Sequence, residues 1–251
     1  MKTHGERPVH QRLADATFRV ECGTSSGSGF SFRHPSIAAT NCHVIEPYLS
    51  AGSPIYLVTE AGARIPAQLV SYSPENQYDF ALLTVQGSLS QGRQVLQPKA
   101  NAAAPRGLST LFAGFPHGIH DLLVHEAVVS GPAASHAFYI DGSVNGGNSG
   151  GPIVEKATGE LIGLVTQRRF LGVVQLGQLR QKVQQLTQHC QGVASQGSVE
   201  IMGVNFGAFA QMMAQNFIVV DQLLQANANS GIGIGFSIEH MNAEYTRLGL
   251  P

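Results

Sequence analysis

The sequence predicts an all-β protein with a helical segment inserted near its C-terminal end, and three observations support this prediction. From residue 18 to about 170, short β-branched and aromatic runs alternate with turn residues at an even spacing. No helical pattern separates these runs, which favours antiparallel barrels or a sandwich over a parallel α/β sheet. Beyond residue 172, apolar residues recur every three or four positions, as in amphipathic helices.

Eleven runs before residue 170 are predicted to be strands, and one more follows the helical segment. Gly, Pro, Ser or Asn stand at their ends and mark the turns. In chain order the runs are FRVEC, GSGFSF, SIAATN, PIYLVT, ARIPAQLVSY, DFALLTV, STLFAGF, LLVHEAVVS, AFYIDG, GPIVEK, ELIGLVTQ and, from residue 231, GIGIGFSI.

Two segments predict a helical hairpin over residues 172–228, joined by the turn-rich stretch GVASQGSVEIMGVN, and a short helix is expected after the last strand. We expect the two apolar stripes of the hairpin to pack against each other or against the β structure. A purely structural role for these helices is an open alternative. The stripes consist of Leu176, Leu179, Val183, Leu186 and Cys190 in the first helix and of Phe206, Phe209, Met213, Val220 and Leu224 in the second.

The composition argues against several classes of protein. Charged residues make up 12% of the 251 residues and the formal net charge is -1, so nothing suggests a nucleic-acid partner. No run approaches about 18 consecutive apolar residues, so we expect no membrane span. The N-terminal stretch MKTHGERPVHQRLADAT lacks the apolar run of a signal peptide, which predicts a cytoplasmic protein.

Cysteine and histidine usage predicts neither disulfides nor a metal. The cysteines are odd in number and form no CxxC pair, so we expect reduced, mostly buried thiols. One group of histidines clusters in sequence, but its spacing matches no zinc pattern. We therefore predict no metal and no cofactor. The residues concerned are Cys22, Cys42 and Cys190, and His117, His120, Asp121 and His125.

The stretch DGSVNGGNSGGPIV, residues 141–154, sets five glycines around Ser149. A serine attacks a carbonyl only when a base accepts its proton and when hydrogen-bond donors stabilise the oxyanion. A tight turn at Gly147-Asn148-Ser149 can supply two backbone N–H donors, because glycine permits the required dihedral angles. Gly-rich turns with a serine also occur in ordinary loops, so this stretch alone does not decide the function.

Two further residues are candidates for a proton relay with that serine. His43, in SIAATNCHVIEPYL, lies where a predicted strand passes into a loop. Asp79, in NQYDFALLTV, is a single acid at the mouth of a strongly apolar strand. A buried acid there needs hydrogen-bond donors, and a histidine N–H is a suitable one. The alternatives are a structural histidine and an exposed aspartate that caps a turn.

Taken together, the motifs resemble those of chymotrypsin-fold serine proteases, most closely the HtrA type and the bacterial glutamyl endopeptidases. The chain order His, Asp, Ser agrees, and the resemblance covers about residues 18–170 and 231–241. It implies two six-stranded antiparallel β-barrels, over 18–95 and over 106–171 plus 229–242, with the 172–228 hairpin inserted. The motifs are GSGFSF, TNCHVI, YDFALL, AGFPHGI, GGNSGGPIV, GELIGLVT and GIGFSI.

The resemblance implies a role for each matching residue. His43 is expected to act as general base and then as general acid, Asp79 to orient it, and Ser149 to form the acyl-enzyme. The backbone N–H groups of Gly147 and Ser149 are expected to form the oxyanion hole. The substrate is then a protein or peptide.

The resemblance also places the specificity pocket. It implies a wall at Ser143, which is not acidic and so disfavours Lys or Arg before the scissile bond. Val165 stands where glutamyl endopeptidases have a histidine, so a strict demand for Glu lacks its main determinant. A small or medium apolar residue is our expectation, although Arg168 and Arg169 leave an acidic preference open. The expected substrate-binding residues are Ser143, Asn145, Thr166, Gln167 and Arg168.

Two departures from the family concern regulation. Asn148 stands where most secreted relatives have an aspartate that pairs with a freed N-terminus, so activation by N-terminal cleavage is not expected. The 172–228 hairpin stands where HtrA-type enzymes have a short loop beside the pocket. We expect it to dock a regulatory partner or a second subunit, and to act through loop rearrangement. We expect no PDZ domain after the last predicted strand.

Two other functions fit parts of the sequence. The same fold could be catalytically silent and serve as a binding module, since a collapsed oxyanion turn would leave the sequence unchanged. An esterase of another fold has Gly-x-Ser-x-Gly between a strand and a helix. The residues Gly147 to Gly151 satisfy that pattern, but Pro-Ile-Val and strands follow, and the acid precedes the serine.

Overall fold

The computed structural model describes residues 7–86, 93–134, 136–169, 173–197, 199–226 and 231–251. Twelve of the described strands close into two six-stranded antiparallel barrels, which confirms the predicted fold class. Residues up to Arg169 together with those from Gly231 onward form one compact unit, and the helical hairpin forms a second. The predicted domain limits, 18–95 and 106–171 plus 229–242, stay predictions.

The first barrel consists of strands β1 to β6 in the order β1-β2-β3-β6-β5-β4. Alternation along β1 shows how the sequence builds it, since Phe18, Val20 and Cys22 are buried while Arg19 and Glu21 face outward. The strands are β1 Thr17–Cys22, β2 Ser25–Ser31, β3 Ile37–Thr40, β4 Ile55–Val58, β5 Arg64–Ser73 and β6 Phe80–Val85.

The second barrel has the order β10-β11-β14-β9-β8-β7, so a strand from beyond the hairpin completes it. That strand, β14, lies between β11 and β9 and pairs antiparallel with both. The strands are β7 Ser109–Gly114, β8 Leu123–Ala134, β9 Ala137–Asp141, β10 Pro152–Glu155, β11 Leu161–Arg169 and β14 Ile232–Ser237.

An apolar core joins the two barrels. Phe30 and Leu82 of the first barrel belong to the same buried cluster as Leu111 and Leu164 of the second. Three short helices surround the barrels: α1 Val9–Ala16, α2 Glu46–Ala51 and the C-terminal helix α5 Glu239–Arg247. The sequence analysis predicted α5 but neither α1 nor α2, because α1 buries only two of its side chains, Leu13 and Ala16, and α2 buries none.

The hairpin consists of α3 Val173–Ser195 and α4 Phe206–Ala226, with a two-stranded ribbon, β12 Glu200–Ile201 and β13 Val204–Asn205, between them. Arg180 near the start of α3 binds Asp221 near the end of α4 at 2.8 Å, so the helices run antiparallel. Within the described parts of the chain, no helix combines the length and the apolar character that a membrane crossing requires.

The predicted helix stripes are only partly buried. Val183, Cys190 and Met213 are buried or half-buried, but five members of the stripes are exposed. The expectation that the two stripes pack against each other or against the β structure is met only in part, because α4 is apolar on two sides and the periodicity does not say which side is covered. The exposed members are Leu179, Leu186, Phe206, Phe209 and Val220; the side chains of Leu176 and Leu224 lie outside the described residues.

Candidate active site

The pairing of β3 with β6 brings His43 and Asp79 together. In this antiparallel pair Thr40 lies opposite Ala81, so the residues just after β3 and just before β6 are neighbours. A 3₁₀ turn over His43–Ile45 then points the imidazole back toward the acid. His43 Nδ1 lies 2.8 Å from Asp79 Oδ2, and the His43 backbone N–H donates to Asp79 Oδ1 at 3.1 Å.

Asp79 is fully buried and accepts three hydrogen bonds. Its backbone has a φ of 44°, a conformation that aspartate tolerates better than most residues. The side-chain amide of Asn41 donates to the Asp79 carbonyl oxygen at 2.6 Å and holds that backbone. Asp79 is therefore not an exposed turn cap, and its carboxylate is satisfied by donors on both oxygens, as a buried carboxylate requires.

The charge of Asp79 changes the pKa of its neighbours. Burial lowers the pKa of His43, but the hydrogen bond that His43 donates to Asp79 and the charges of Asp79 and Glu75 raise it by more, so the net pKa lies above its ordinary value. Burial, with the same two charges and that of Glu46, raises the pKa of the Cys42 thiol to about 11. Cys42, next to His43, is therefore a neutral thiol at physiological pH rather than a nucleophile.

The turn that carries Ser149 depends on two glycines with positive φ. Gly147 has φ 93° and Gly150 has φ 83°, both in the region that favours glycine. A methyl group at Gly147 would overlap the carbonyl oxygen of Phe115, and one at Gly150 would overlap that of Ser28. Gly147 and Gly150 are therefore required by backbone geometry and close packing.

Hydrogen bonds fix the peptide planes of this turn. The N–H of His117 donates to the Gly146 carbonyl at 2.7 Å, and the Ser28 hydroxyl donates to the Gly147 carbonyl at 2.7 Å. Because C=O and N–H point in opposite directions in a trans peptide, the first bond turns the N–H of Gly147 away from His117. Neither this N–H nor that of Ser149 has a hydrogen-bond partner within the described ranges of the chain.

Ser28, which lies in β2 of the first barrel, is the main link to the nucleophile turn. Its N–H donates to the Ser149 carbonyl at 2.7 Å, and its hydroxyl accepts from the Phe115 N–H at 2.9 Å while it donates to Gly147. The imidazole of His117 also lies against Gly146 and Gly147, with Nε2 3.3 Å from the Ser26 carbonyl oxygen. The turn is thus held from both barrels.

Thr166 connects the serine to the buried acid. The Ser149 hydroxyl donates to the Thr166 carbonyl at 3.1 Å, and the Thr166 hydroxyl donates to Asp79 Oδ2 at 2.6 Å. The described hydrogen bonds include none between Ser149 and His43. A rotation of Ser149 about χ1 would release its hydroxyl from Thr166. Catalytic hydrogen bonds often tighten only when substrate binds, so this rotamer is compatible with catalysis.

The residues predicted for the specificity pocket are placed differently from one another. Ser143 is exposed, and the half-buried Asn145 donates to the Ser143 carbonyl at 3.2 Å. A bulge in the pairing of β11 with β14 falls at Thr166, whose hydroxyl donates to Asp79. The side chains of Gln167 and Arg168 lie outside the described residues.

Sequence reasoning did not foresee the contacts of Ser28 and His117, or the bond from Thr166 to Asp79. The first two residues stand in recognised motifs, GSGFSF and AGFPHGI, but no local pattern says what they touch. The histidines that lie close together in sequence do not form one site. His117 packs on the nucleophile turn, whereas the ring of His125 stacks on that of Phe112 with 4.7 Å between their centroids. Among the described residues, no three His, Cys, Asp or Glu form a group that could hold a metal ion.

Two closed six-stranded barrels, with a His–Asp pair on one and a glycine-bounded serine turn on the other, define the chymotrypsin-like class. A family model described as "Trypsin-like peptidase domain" matches residues 27–164. This chain belongs to the trypsin-like peptidase family.

Individual relatives are proteases. The chain is 30% identical over 162 residues to the "Peroxisomal leader peptide-processing protease" of Mus musculus, covering 61% of this chain and 27% of that protein. A crystal structure of the serine endoprotease from Yersinia pestis has 26% identity and a TM-score of 0.55, covering 64% of this chain and 57% of that one. The chain thus spans about a quarter of the first relative and just over half of the second.

A third comparison supports the fold alone. The structure titled "HtrA-type protease AlgW with tripeptide" is 19% identical and has a TM-score of 0.59. The match covers 95% of this chain and 61% of the chain in that structure. The HtrA-type likeness expected from the sequence motifs is therefore present in the fold.

Proposed function

We propose that this chain is a serine endopeptidase that hydrolyses peptide bonds through an acyl-enzyme on Ser149. The observation that carries the proposal is that His43 and Ser149 both connect to the buried Asp79. His43 does so directly at 2.8 Å, and Ser149 does so through Thr166. A plain scaffold gives no evident reason for two residues so distant in sequence to connect to one buried acid.

The proposed reaction has two stages. As the Ser149 oxygen bonds to the peptide carbonyl carbon, its proton passes to Nε2 of His43, which returns it to the departing amine nitrogen when the C–N bond breaks. Water then attacks the ester, again giving its proton to His43, and Ser149 leaves with a proton restored. Asp79 keeps the Nδ1–H tautomer and stabilises the imidazolium, and the raised pKa of His43 fits that role.

The N–H groups of Gly147 and Ser149 are the proposed oxyanion donors. Support comes from the bonds at Gly146 and Gly147, which orient the peptides of this turn before substrate arrives. Preorganised donors of this kind are worth roughly 3 kcal/mol each in a hydrolase barrier. His117, packed on both glycines, is proposed as a positioning residue for this turn.

The proposed substrate is a protein or peptide segment. Ser143 and Asn145 are proposed to contact the residue before the scissile bond, with the backbone of Thr166 and the strand residues Gln167 and Arg168 beside it. The uncharged Ser143 favours a small or medium apolar residue there. We further propose a cytoplasmic location, supported by the free Cys22, Cys42 and Cys190, since reduced thiols suit a reducing compartment.

Regulation is proposed to act through a protein docked on the 172–228 hairpin and through rearrangement of the turn at Ser149. The exposed apolar side chains of the hairpin support docking, because a surface of this kind is seldom left uncovered.

Asn148 supports the proposed rearrangement of the turn at Ser149. Its side chain is fully buried, and neither of its polar atoms has a hydrogen-bond partner in the described parts of the chain. An unpaired buried group costs about 1–3 kcal/mol, which lowers the cost of leaving this conformation.

A second candidate function is a catalytically silent protein-binding module. The observation that favours it is the Ser149 hydroxyl, which bonds to Thr166 and not to His43. A fluorophosphonate probe separates the two functions, because it reacts only with an activated serine. We expect the purified chain to be labelled and Ser149→Ala to remain unlabelled with the same thermal stability.

The matched control is Ser143→Ala, which removes an exposed hydroxyl six residues earlier on the same loop. It should retain labelling and change only the preference for the residue before the scissile bond. Absence of labelling in the folded wild-type chain, together with no cleavage of a diverse peptide library, would support the silent module instead.

A further inference from the structure

The loop that carries Asp79 has a second side chain that is covered by protein. Residues 74–79 connect β5 to β6, and the flanking residues Ser73 and Phe80 lie opposite each other in the ladder. Residues 74–77 are exposed, whereas Tyr78 is half-buried and packs against the apolar core that joins the barrels. Tyr78 and Asp79 are therefore the two residues whose side chains attach this loop to the protein.

The Tyr78 ring lies between two histidine rings from outside the first barrel. The ring of His240, at the start of α5, stacks on it with 3.5 Å between the centroids and 15° between the planes. The ring of His136, between β8 and β9, forms a T-shaped contact with it at 5.2 Å and 88°. Aromatic rings prefer stacked and T-shaped arrangements, so these contacts fix the orientation of the tyrosine as well as its position.

The two histidines are themselves held in place. The Ser237 N–H, at the end of β14, donates to the His136 carbonyl at 2.8 Å. The helix that carries His240 is attached to β5, because the Ser71 hydroxyl donates to Glu244 Oε1 at 2.6 Å. The tyrosine ring is therefore packed against fixed elements of the fold.

His240 takes part in this packing as a neutral ring. Burial and the charge of His136 lower the pKa of His240, and the charge of Glu239 raises it by less. The imidazole is then uncharged at physiological pH. The contact with Tyr78 depends on ring packing and not on charge, so another neutral aromatic ring can take the place of His240.

The residue that follows Tyr78 has a strained backbone. Asp79 has a φ of 44°, and its N–H donates to the Pro74 carbonyl at 3.2 Å. The Tyr78 N–H donates to the Ser73 hydroxyl, also at 3.2 Å. Both distances lie at the long end of the normal range. A strained conformation persists only where its surroundings fix it, and the packed ring of Tyr78 fixes the peptide that leads into Asp79.

We propose that Tyr78 is a positioning residue for Asp79. Held between the two histidine rings, it keeps the Asp79 carboxylate within hydrogen-bond distance of His43. The inference rests on the proposed function only for its effect on hydrolysis. Its effect on His43 is measurable without substrate, because the bond to Asp79 and the charge of Asp79 raise the pKa of that imidazole.

The first test replaces Tyr78 in the full chain. Tyr78→Ala frees the peptide before Asp79, so the pKa of His43 should fall toward the ordinary value of histidine. An NMR titration measures this pKa, and His43→Gln identifies the signal. The same displacement of the acid should lower kcat about 10- to 100-fold with little change in KM. Tyr78→Phe should behave as the wild type, since the hydroxyl has no hydrogen-bond partner among the residues that the structure describes.

A second pair of variants leaves the loop itself unchanged. His240→Ala removes the stacked ring and should lower kcat and the pKa of His43 in the same direction, to a smaller extent than Tyr78→Ala. His240→Phe keeps a neutral ring and should restore both quantities. The matched control is Tyr72→Ala on β5, whose side chain is 47% exposed, and it should change neither.

Three results would overturn the proposal. A folded Tyr78→Ala chain could keep the kcat and the His43 pKa of the wild type, or it could lose thermal stability with that pKa unchanged. Alternatively, His240→Phe could be as impaired as His240→Ala. If the wild type neither cleaves peptides nor reacts with a fluorophosphonate, the proposed function fails, but the NMR titration still decides the role of Tyr78.

Discussion

The two halves of the candidate site are built in different ways. The His43–Asp79 pair comes from one barrel, where the single strand pair β3–β6 brings the residues to 2.8 Å. The Ser149 turn belongs to the other barrel, yet Ser28 of the first barrel holds it with hydrogen bonds to Gly147 and Ser149. The acid–base half is therefore formed by its own strands, whereas the nucleophile half depends on the contact between the barrels.

This difference has a physical consequence for how the protein can be switched. A buried acid with three donors is costly to disturb, since each lost bond leaves an unsatisfied charge. The serine turn has positive-φ glycines and the unpaired Asn148 side chain, and its bonds are made to neutral groups. Regulation would therefore act more readily on the turn than on the His–Asp pair.

The largest expected effect comes from the acid–base half. Asp79→Asn places an amide opposite His43 Nδ1, which favours the proton on Nε2 and removes the base that Ser149 needs. We expect kcat/KM to fall by a factor on the order of 10⁴, with the fold retained by circular dichroism. Peptide hydrolysis kinetics measure this.

The control for that variant is Asp121→Asn, which removes the same charge from an exposed position. It should keep full activity. If Asp79→Asn kept its activity within tenfold of the wild type, the His43–Asp79 pair would be structural only. The difference between the two halves of the site would then have no bearing on catalysis.

An intermediate effect is expected from the link between the barrels. Ser28→Ala leaves the Phe115 N–H and the Gly147 carbonyl without their shared partner, at a cost of about 1–3 kcal/mol for each buried group. The oxyanion turn loses one of its restraints, so we expect kcat to fall roughly 10- to 100-fold with little change in KM. Steady-state kinetics and thermal unfolding measure both consequences.

Ser31→Ala is a matched control on the same strand. Its hydroxyl is also fully buried, but it has no hydrogen-bond partner among the described residues, so its removal should leave kcat unchanged and stability the same or higher. Equal losses in both variants would assign the Ser28 effect to packing in β2. They would also remove the argument that the nucleophile turn depends on the first barrel.

The sequence predicted the parts of the site that local patterns encode. All twelve barrel strands were identified from β-branched runs and turn residues, and the motifs around His43, Asp79 and Ser149 predicted which residue types approach one another. The contacts of Ser28 and the bulge at Thr166 were not predicted, because they depend on the register between strands distant in sequence. Local patterns in a single sequence do not determine the register between strands that are distant along the chain.

The hairpin shows the same limit in a helix. The pattern predicted two helices and placed Leu179, Leu186, Phe206, Phe209 and Val220 in the stripes expected to pack, whereas the structure leaves these five side chains exposed. In α4, small residues such as Ala210 and Ala214 occupy the inward line, and larger apolar residues lie outside. Hydrophobicity alone does not distinguish a face that packs within the chain from one that is left for a partner.

The smallest expected effect is a change in the pKa of His43 that leaves the His43–Asp79 pair intact. His43 must be neutral to accept the proton of Ser149, so kcat/KM should rise with pH as His43 loses its proton, at a pH above the ordinary pKa of histidine because that pKa is raised. Glu75, an exposed acid, is one of the charges that raises it. Glu75→Gln should therefore move the acid limb of the profile to lower pH and leave the plateau unchanged. The shift should shrink in high salt, because an exposed charge is screened.

The control is Glu60→Gln, which removes an equal charge at an exposed turn and should leave the acid limb of the profile in place. A limb that does not move in Glu75→Gln, or that moves equally in both variants, would mean that the group titrating in the profile is not a histidine beside Glu75.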